Sequence, residues 1–163
     1  MRAVRTPAVL QPMRVQSVAG LARVPGHAEA LAQLLAQRQR AAFKWGVHDC
    51  CLWAADAIHA QLGVDPAAEL RGRYATALQA HRGVQACGPG LEAIATAALG
   101  EPLRHPMLAS AGDVGLVECN AEGETWPHAL AVCLGDWWAC PAADVMALRP
   151  LTAAVQSWRV GCA

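Results

Sequence analysis

The stretch FKWGVHDCCLWAADAIHAQLG, residues 43–63, decides the fold of this 163-residue chain. Asp49 is a residue type that favours helix N-caps, and apolar residues then recur at three- and four-residue steps as far as Gly63, a typical helix-ending glycine. The stretch therefore predicts a helix that starts at Cys50. A cysteine in the first helical turn lies near unpaired backbone N–H groups and the positive end of the helix dipole, and both favour its thiolate.

The rest of the chain divides into helical patterns followed by strand patterns. Three- and four-residue apolar spacing predicts further helices at residues 28–43, 76–81 and 91–99. Short apolar runs bounded by turn residues predict strands at residues 114–117, 128–134, 137–140 and 155–160. Helices first and a small antiparallel sheet second is the α+β pattern.

Length and composition indicate one folded domain. Hydrophobic residues make up 55% of the chain and charged residues 16%, which excludes intrinsic disorder. The 13 basic residues balance the 13 acidic ones, which argues against binding to nucleic acid. The chain lacks an apolar run of the length needed to span a membrane, so we expect no membrane span.

The sequence predicts two regions, an N-terminal arm and a folded domain. Prolines and arginines recur throughout residues 1–24. We expect this segment to be an irregular N-terminal arm, either docked on a partner or disordered. Residues 25–163 are expected to form the single α+β domain.

Seven cysteines and six histidines raise the question of a metal. A metal site could be assembled from His48, Cys50, Cys51 and His128, or an iron–sulfur site from any four cysteines. Neither set has recognisable ligand spacing, and the chain contains no CxxC pair. We therefore expect no metal and no cofactor.

The order of two residues favours a thiol enzyme. His128 begins the clearest strand candidate, downstream of Cys50 on its helix, and this is the papain-type order of nucleophile and base. The alternative is that Cys50 is a buried structural thiol and that His128 simply ends a strand. Cys51 is expected to pack beneath the helix.

Three motifs resemble those of NlpC-type papain-like cysteine peptidases. The first is the WG..DC entry to the nucleophile helix, the second is AGDVGLV at 111–117, and the third is HALAVCLG at 128–135. With LRGRY at 70–74 and SWRV at 157–160, the combination more closely resembles an uncharacterised relative encoded by phages and prophages. The resemblance covers about residues 29–160.

This resemblance implies a fold, a site and a setting. N-terminal helices, including the nucleophile helix that starts at Cys50, would pack on a small antiparallel sheet. Cys50 would be the nucleophile and His128 the general base, while Trp45, His48 and Asp49 would bind substrate. The activity implied is cleavage of peptide bonds in bacterial peptidoglycan stem peptides.

The setting implied is the bacteriophage tail tip. The protein would be made in the bacterial host cytoplasm, become part of the virion, and have other tail-tip or hub proteins as partners. An alternative function is a structural subunit of the tail tip or tail assembly that has lost catalysis.

Two further sets of residues have alternative interpretations. Arg71 and Arg73 with Tyr74 could bind a carboxylate, although a structural ion pair with a nearby acid is the default. The six tryptophans could line a groove for a peptide or glycan, or could belong to the core or to a subunit interface.

Overall fold

The computed structural model of the protein describes residues 13–119 and 126–162. The described residues form four α-helices and five strands, together with short 3-10 turns at Pro106–Leu108 and Leu151–Ala153. The helices are α1 (His27–Arg38), α2 (Cys50–Leu62), α3 (Ala77–Cys87) and α4 (Leu91–Leu99). The strands are β1 (Val114–Glu118), β2 (His128–Cys133), β3 (Trp137–Pro141), β4 (Met146–Pro150) and β5 (Ala154–Trp158). The predicted α+β class is confirmed.

The strands form one antiparallel sheet in the order β4-β3-β2-β1-β5. The β1–β2 ladder is regular over its whole length, from Val114 opposite Val132 to Glu118 opposite His128. The β2–β3 ladder is much shorter, because only Val132 and Cys133 of β2 have partners in β3. The first residues of β2 are therefore not paired with β3.

The helices cover one face of the sheet. Leu116 and Leu130 from that face pack with Ala54 and Ile58 of α2 in the largest core cluster. On the opposite face, the Trp138 ring lies directly over Gly115, where a Cβ atom would collide with it. None of the helices in the described part of the chain is long and apolar enough to cross a membrane.

The best-predicted element is α2. Its first residue is Cys50, Asp49 is the N-cap, and Gly63 follows in the left-handed conformation with φ 73°. By contrast, α1 ends at Arg38 rather than near residue 43. The chain beyond it runs beside the β3–β4 hairpin, where the Met146 N–H donates to Gln39 O.

The strand β4 was not expected from the sequence. Its segment, MALRP, contains an arginine and ends in proline, which weakens a local strand signal. β4 is an edge strand paired only with β3, and an edge position tolerates both residues. This strand therefore forms because it pairs with β3, and not because its own residues favour a strand.

The predicted arm is partly described. Residues 1–12 lie outside the described residues, whereas residues 13–24 run without helix or strand apart from an isolated bridge at Ala22. This segment packs against the domain: Val18 is 2% exposed and its N–H donates to Ala98 O. The described part of the arm therefore contributes to the core.

The fully buried Asp113 joins several distant segments at the start of β1. One carboxylate oxygen accepts from the Val160 N–H at 3.0 Å, and the other accepts from Arg159 at 2.6 Å and from the Ser110 N–H at 2.8 Å. Arg23 adds an ion pair at 3.5 Å. Asp113 thereby ties the N-terminal segment and the two residues that follow β5 to the start of β1.

Replacing Asp113 with asparagine is expected to lower the free energy of unfolding by about 2–3 kcal/mol, because it removes the charge that pairs with two arginines in a buried site. Urea denaturation of the wild type and the variant measures the change. Asp144→Asn, at an exposed position, is the matched control and should alter stability by less than about 0.5 kcal/mol. Equal effects of the two substitutions would contradict this role for Asp113.

Candidate active site

The start of α2 is fixed by the carboxylate of Asp49, which is 1% exposed. One of its oxygens accepts from the Leu52 N–H at 3.0 Å, as an N-cap does. The other accepts from the Gly46 N–H at 2.9 Å and from the Tyr74 hydroxyl at 2.7 Å. Asp49 was expected to bind substrate, but its side chain is occupied by these structural hydrogen bonds.

The WG and RGRY motifs form one structural unit. Gly46 has φ 75°, and a Cβ atom at this position would overlap the carbonyl oxygen of Tyr74. The Gly72 N–H also donates to Gly46 O at 2.9 Å. Burial and then the charge of Asp49 raise the pKa of Tyr74, so its hydroxyl keeps the proton that it donates.

Arg71 forms structural ion pairs, which is the default interpretation of this arginine in the sequence. Its guanidinium pairs with Asp65 at 2.6 Å and with Asp56 at 2.7 Å, and these contacts hold the loop after α2 against α2 itself. Arg71 is therefore committed to the fold and is not a carboxylate-binding group of the site.

Cys50 is half-buried and lines an open groove of about 570 Å³. Its neighbour Cys51 lines the same groove, and a hydrogen bond between the two thiols raises the pKa of Cys51, with burial raising it further. Cys51 consequently stays protonated at neutral pH. The S–H of Cys51 is therefore the donor of the hydrogen bond to the sulfur of Cys50.

His128 faces the same side of the sheet as α2. Side chains alternate along a strand, and Leu130 and Val132, which share its face, pack against residues of α2. His128 lines the groove together with Cys50. The two side chains do not hydrogen-bond to each other, and within the described residues none hydrogen-bonds to the ring of His128.

A row of aromatic rings runs beside the groove; Phe43, Trp45 and Trp126 line it, and His81 continues the row behind Trp126. Phe43 and Trp45 meet edge to face with ring centroids 4.7 Å apart, Trp126 lies 6.2 Å from Trp45, and His81 of α3 lies 5.4 Å from Trp126. The Phe43 N–H donates to Ala143 O in the β3–β4 hairpin. The row therefore extends from that hairpin to α3, and it includes Trp45, one of the residues expected to bind substrate.

His48 is not brought together with the other expected site residues. It is 2% exposed, its ring lies edge to face with Trp53 at 6.3 Å, and it does not line the groove. Neither ring nitrogen has a hydrogen-bond partner among the described residues. Burial, followed by the nearby charge of Arg38, lowers the pKa of His48.

Sequence reasoning missed Arg149, which lines the groove from β4. The sequence shows only a single arginine in an apolar segment. Without the β3–β4 pairing, nothing indicated that this segment lies beside the groove. Within residues 13–119 and 126–162, no three His, Cys, Asp or Glu side chains are gathered to hold a metal ion. The four residues of the metal alternative thus do not form a cluster.

The fold and the groove define an α+β protein in which a helix-start cysteine and an imidazole face one cleft. Residues 22–160 match the family described as "Domain of unknown function (DUF6950)", and the chain belongs to that family. Neither the curated proteins nor the solved structures contain a match to this chain.

Gly46→Ala is expected to lower the free energy of unfolding by about 2–4 kcal/mol, since it combines an unfavourable φ with overlap against the Tyr74 backbone. Gly20→Ala is a matched control, because Gly20 has φ 79° with nothing within 4 Å of the added Cβ, and should cost about 1 kcal/mol. Chemical denaturation of both variants measures the difference. Similar losses would show that the contact with Tyr74 is unimportant.

The buried His48 predicts a loss of stability on acidification. Because its pKa is lowered in the folded state, the unfolded chain binds a proton near pH 6.5 that the folded chain does not. Its contribution is fully present above that pH and decreases as the pH falls toward the folded-state pKa, by up to about 1.4 kcal/mol per pH unit.

The measurement is urea denaturation of the wild type and His48→Phe at several values between about pH 7.5 and pH 5. The variant should show a shallower loss of stability with falling pH. His59→Gln, at an exposed position on α2, should keep the wild-type slope. An unchanged slope in His48→Phe would show that His48 titrates alike in both states.

Proposed function

We propose that this protein is a papain-like cysteine hydrolase of the NlpC type, with Cys50 as the nucleophile and His128 as the general acid–base. The observation that carries the proposal is the shared groove: a cysteine at the first position of α2 and a histidine on the facing side of β2 both line it. This combination supplies the two groups that amide cleavage by a thiol requires.

The placement of the motifs supports an NlpC-type fold. The WG..DC motif lies on the loop that enters α2, AGDVGLV leads into and covers most of β1, and HALAVCLG contains β2. In the papain-like arrangement the nucleophile helix packs on an antiparallel sheet, and α2 packs on β2 in this way.

The proposed reaction has two steps. The Cys50 thiolate attacks the amide carbonyl, protonated His128 gives its proton to the departing amine, and a thioester with Cys50 remains. Water, deprotonated by His128, then attacks the thioester, releases the carboxylic acid and returns the thiol. In the first turn of α2 the Leu52 N–H is engaged by Asp49, so the backbone N–H of Cys50 is the group proposed to stabilise the oxyanion in both steps.

The proposed substrate is the stem peptide of bacterial peptidoglycan, and the proposed place is the tail tip of a bacteriophage. Both rest on the motif resemblance. The site offers an open groove of about 570 Å³ lined on one side by aromatic rings, which is large enough for a peptide segment. Other tail-tip or hub proteins are the proposed partners, and the virion is the proposed location.

One observation favours the alternative of a structural tail subunit without catalysis. Among the described residues, His128 has no hydrogen-bond partner that would orient its ring toward Cys50. A papain-like enzyme normally has a third polar group in that role.

The decisive experiment is digestion of purified peptidoglycan, with released fragments identified by mass spectrometry. The wild type should release stem-peptide fragments, and Cys50→Ser should reduce the rate by at least about a thousandfold, because a serine hydroxyl lacks the thiol's acidity. Cys162→Ser is the matched control at an exposed cysteine outside the groove and should keep the wild-type rate.

Alkylation by iodoacetamide at neutral pH is a second experiment that distinguishes the hydrolase from the structural tail subunit. An enzyme should be alkylated first at Cys50, because a helix-start thiolate reacts faster than the other thiols. If the wild type releases no fragments and Cys50 shows no preferential alkylation, the hydrolase proposal is overturned and the structural alternative remains.

A further inference from the structure

The last residue of β1, Glu118, lies directly opposite His128 of β2 in the antiparallel ladder. Hydrogen-bonded and non-hydrogen-bonded pairs alternate along such a ladder. Because the Cys119 N–H donates to Pro127 O at 3.0 Å, the adjacent pair of Glu118 and His128 is a non-hydrogen-bonded pair. In a pair of this kind the Cα atoms are about 4.5 Å apart, and the two side chains lie close to each other.

Both side chains lie on the face of the sheet that α2 covers. Side chains alternate along a strand, and Leu116 and Leu130, two residues away in each strand, pack on that face with α2. His128 is half-buried and lines the groove, whereas Glu118 is exposed and lies outside it. Glu118 can therefore meet one nitrogen of the imidazole and leave the other nitrogen for the thiol of Cys50.

Neither of these two side chains is committed to another partner. In the part of the chain that the structure describes, the Glu118 carboxylate forms no hydrogen bond or ion pair, and the ring of His128 forms none either. The Cβ atoms of such a cross-strand pair are about 5 Å apart, a distance that a glutamate side chain spans. The two groups do not hydrogen-bond in this structure. Hydrogen bonds of catalytic groups are often long or poorly aligned until substrate is bound.

Two other acids of the described chain could be considered as partners of the imidazole, and neither fits. Asp49 lines the groove, but its two oxygens are occupied by three hydrogen bonds within the fold. Asp136 lies beyond the far end of β2, and the strand that separates it from His128 is roughly 17 Å long. Glu118 is therefore the acid whose position suits this histidine.

We propose that Glu118 is a positioning residue that accepts a hydrogen bond from the His128 ring and holds the imidazole toward Cys50. This inference rests on the proposed function, since it assigns the third polar group of the same site. β3 does not pair with the start of β2, so the group is supplied by β1 on the other side of that strand.

The carboxylate acts in both steps of the proposed reaction and stays ionised throughout. While His128 carries the proton for the departing amine, the negative charge of Glu118 stabilises the imidazolium. After that proton has left, the remaining N–H still donates to Glu118, which keeps the neutral ring in one tautomer with its free nitrogen ready to deprotonate water.

The first test reads the His128 ring directly and does not depend on activity. Long-range proton–nitrogen NMR shows which ring nitrogen carries the proton, measured at about pH 8.5 where an ordinary histidine is neutral. The signals of His128 are assigned by their absence in His128→Phe. The wild type should show one tautomer, and Glu118→Leu, which removes the acceptor, should show a mixture of two. Glu118→Gln should keep the wild-type tautomer, because its carbonyl oxygen still accepts.

The second test is the rate of fragment release from peptidoglycan. General acid–base catalysis contributes roughly 10²–10⁴-fold, so Glu118→Leu should lower the rate by about a hundredfold. Glu118→Gln should lower it by only about tenfold, because it keeps the orientation of the ring and loses the charge. Glu101→Leu, at an exposed acid outside the groove, is the matched control and should keep the wild-type rate and tautomer. Thermal unfolding of each variant checks that it is folded.

Two results would overturn the inference: His128 nitrogen signals that are the same in Glu118→Leu and the wild type, or cleavage by Glu118→Leu at the wild-type rate. These outcomes are distinct from failure of the proposed function. Cleavage that requires Cys50 and His128 but not Glu118 would overturn only the role of Glu118. A tautomer that depends on Glu118 in a protein that cleaves nothing would overturn the hydrolase and leave the hydrogen bond between the two residues standing.

Discussion

The hydrogen bonds of the Asp49 carboxylate are the constraint on which the site depends. This one buried group caps α2, holds the Gly46 turn and accepts a hydrogen bond from the Tyr74 hydroxyl. Because its oxygens are occupied in three directions, the first turn of α2 cannot shift without breaking contacts with two other segments. Cys50, the next residue along the chain, is therefore held in place through the backbone.

A second buried carboxylate fixes the other half of the site. Asp113 anchors the start of β1 through Val160, Arg159 and Ser110, and its carbonyl accepts from the N–H of Cys133 at the end of β2. The regular β1–β2 ladder then sets which face of β2 each side chain occupies. Helix and sheet are thus positioned by separate buried acids, and the groove with its cysteine and histidine lies where the two meet.

The sequence predicted the parts of the site that depend on local signals. An N-cap aspartate with helical spacing behind it located α2, and a bounded apolar run located β2. The other roles depend on contacts between distant residues: Tyr74 reaches Asp49 across 25 positions, and His48 turns toward Trp53 instead of the groove. Local patterns carry no information about such contacts, and for the same reason β4 and Arg149 were missed.

The short β2–β3 ladder explains how residues from both faces of the sheet can line one groove. Pairing between these strands stops at Val132 and Ala139, while β3 continues to pair with β4 as far as Pro141. The start of β2 and the end of β3 are therefore free to separate, and both segments line the groove, through His128 and Cys140 among others. Continued pairing would close the sheet between the two segments, so the interruption is what allows Ala147 and Arg149 of β4, on the face away from α2, to line the groove as well.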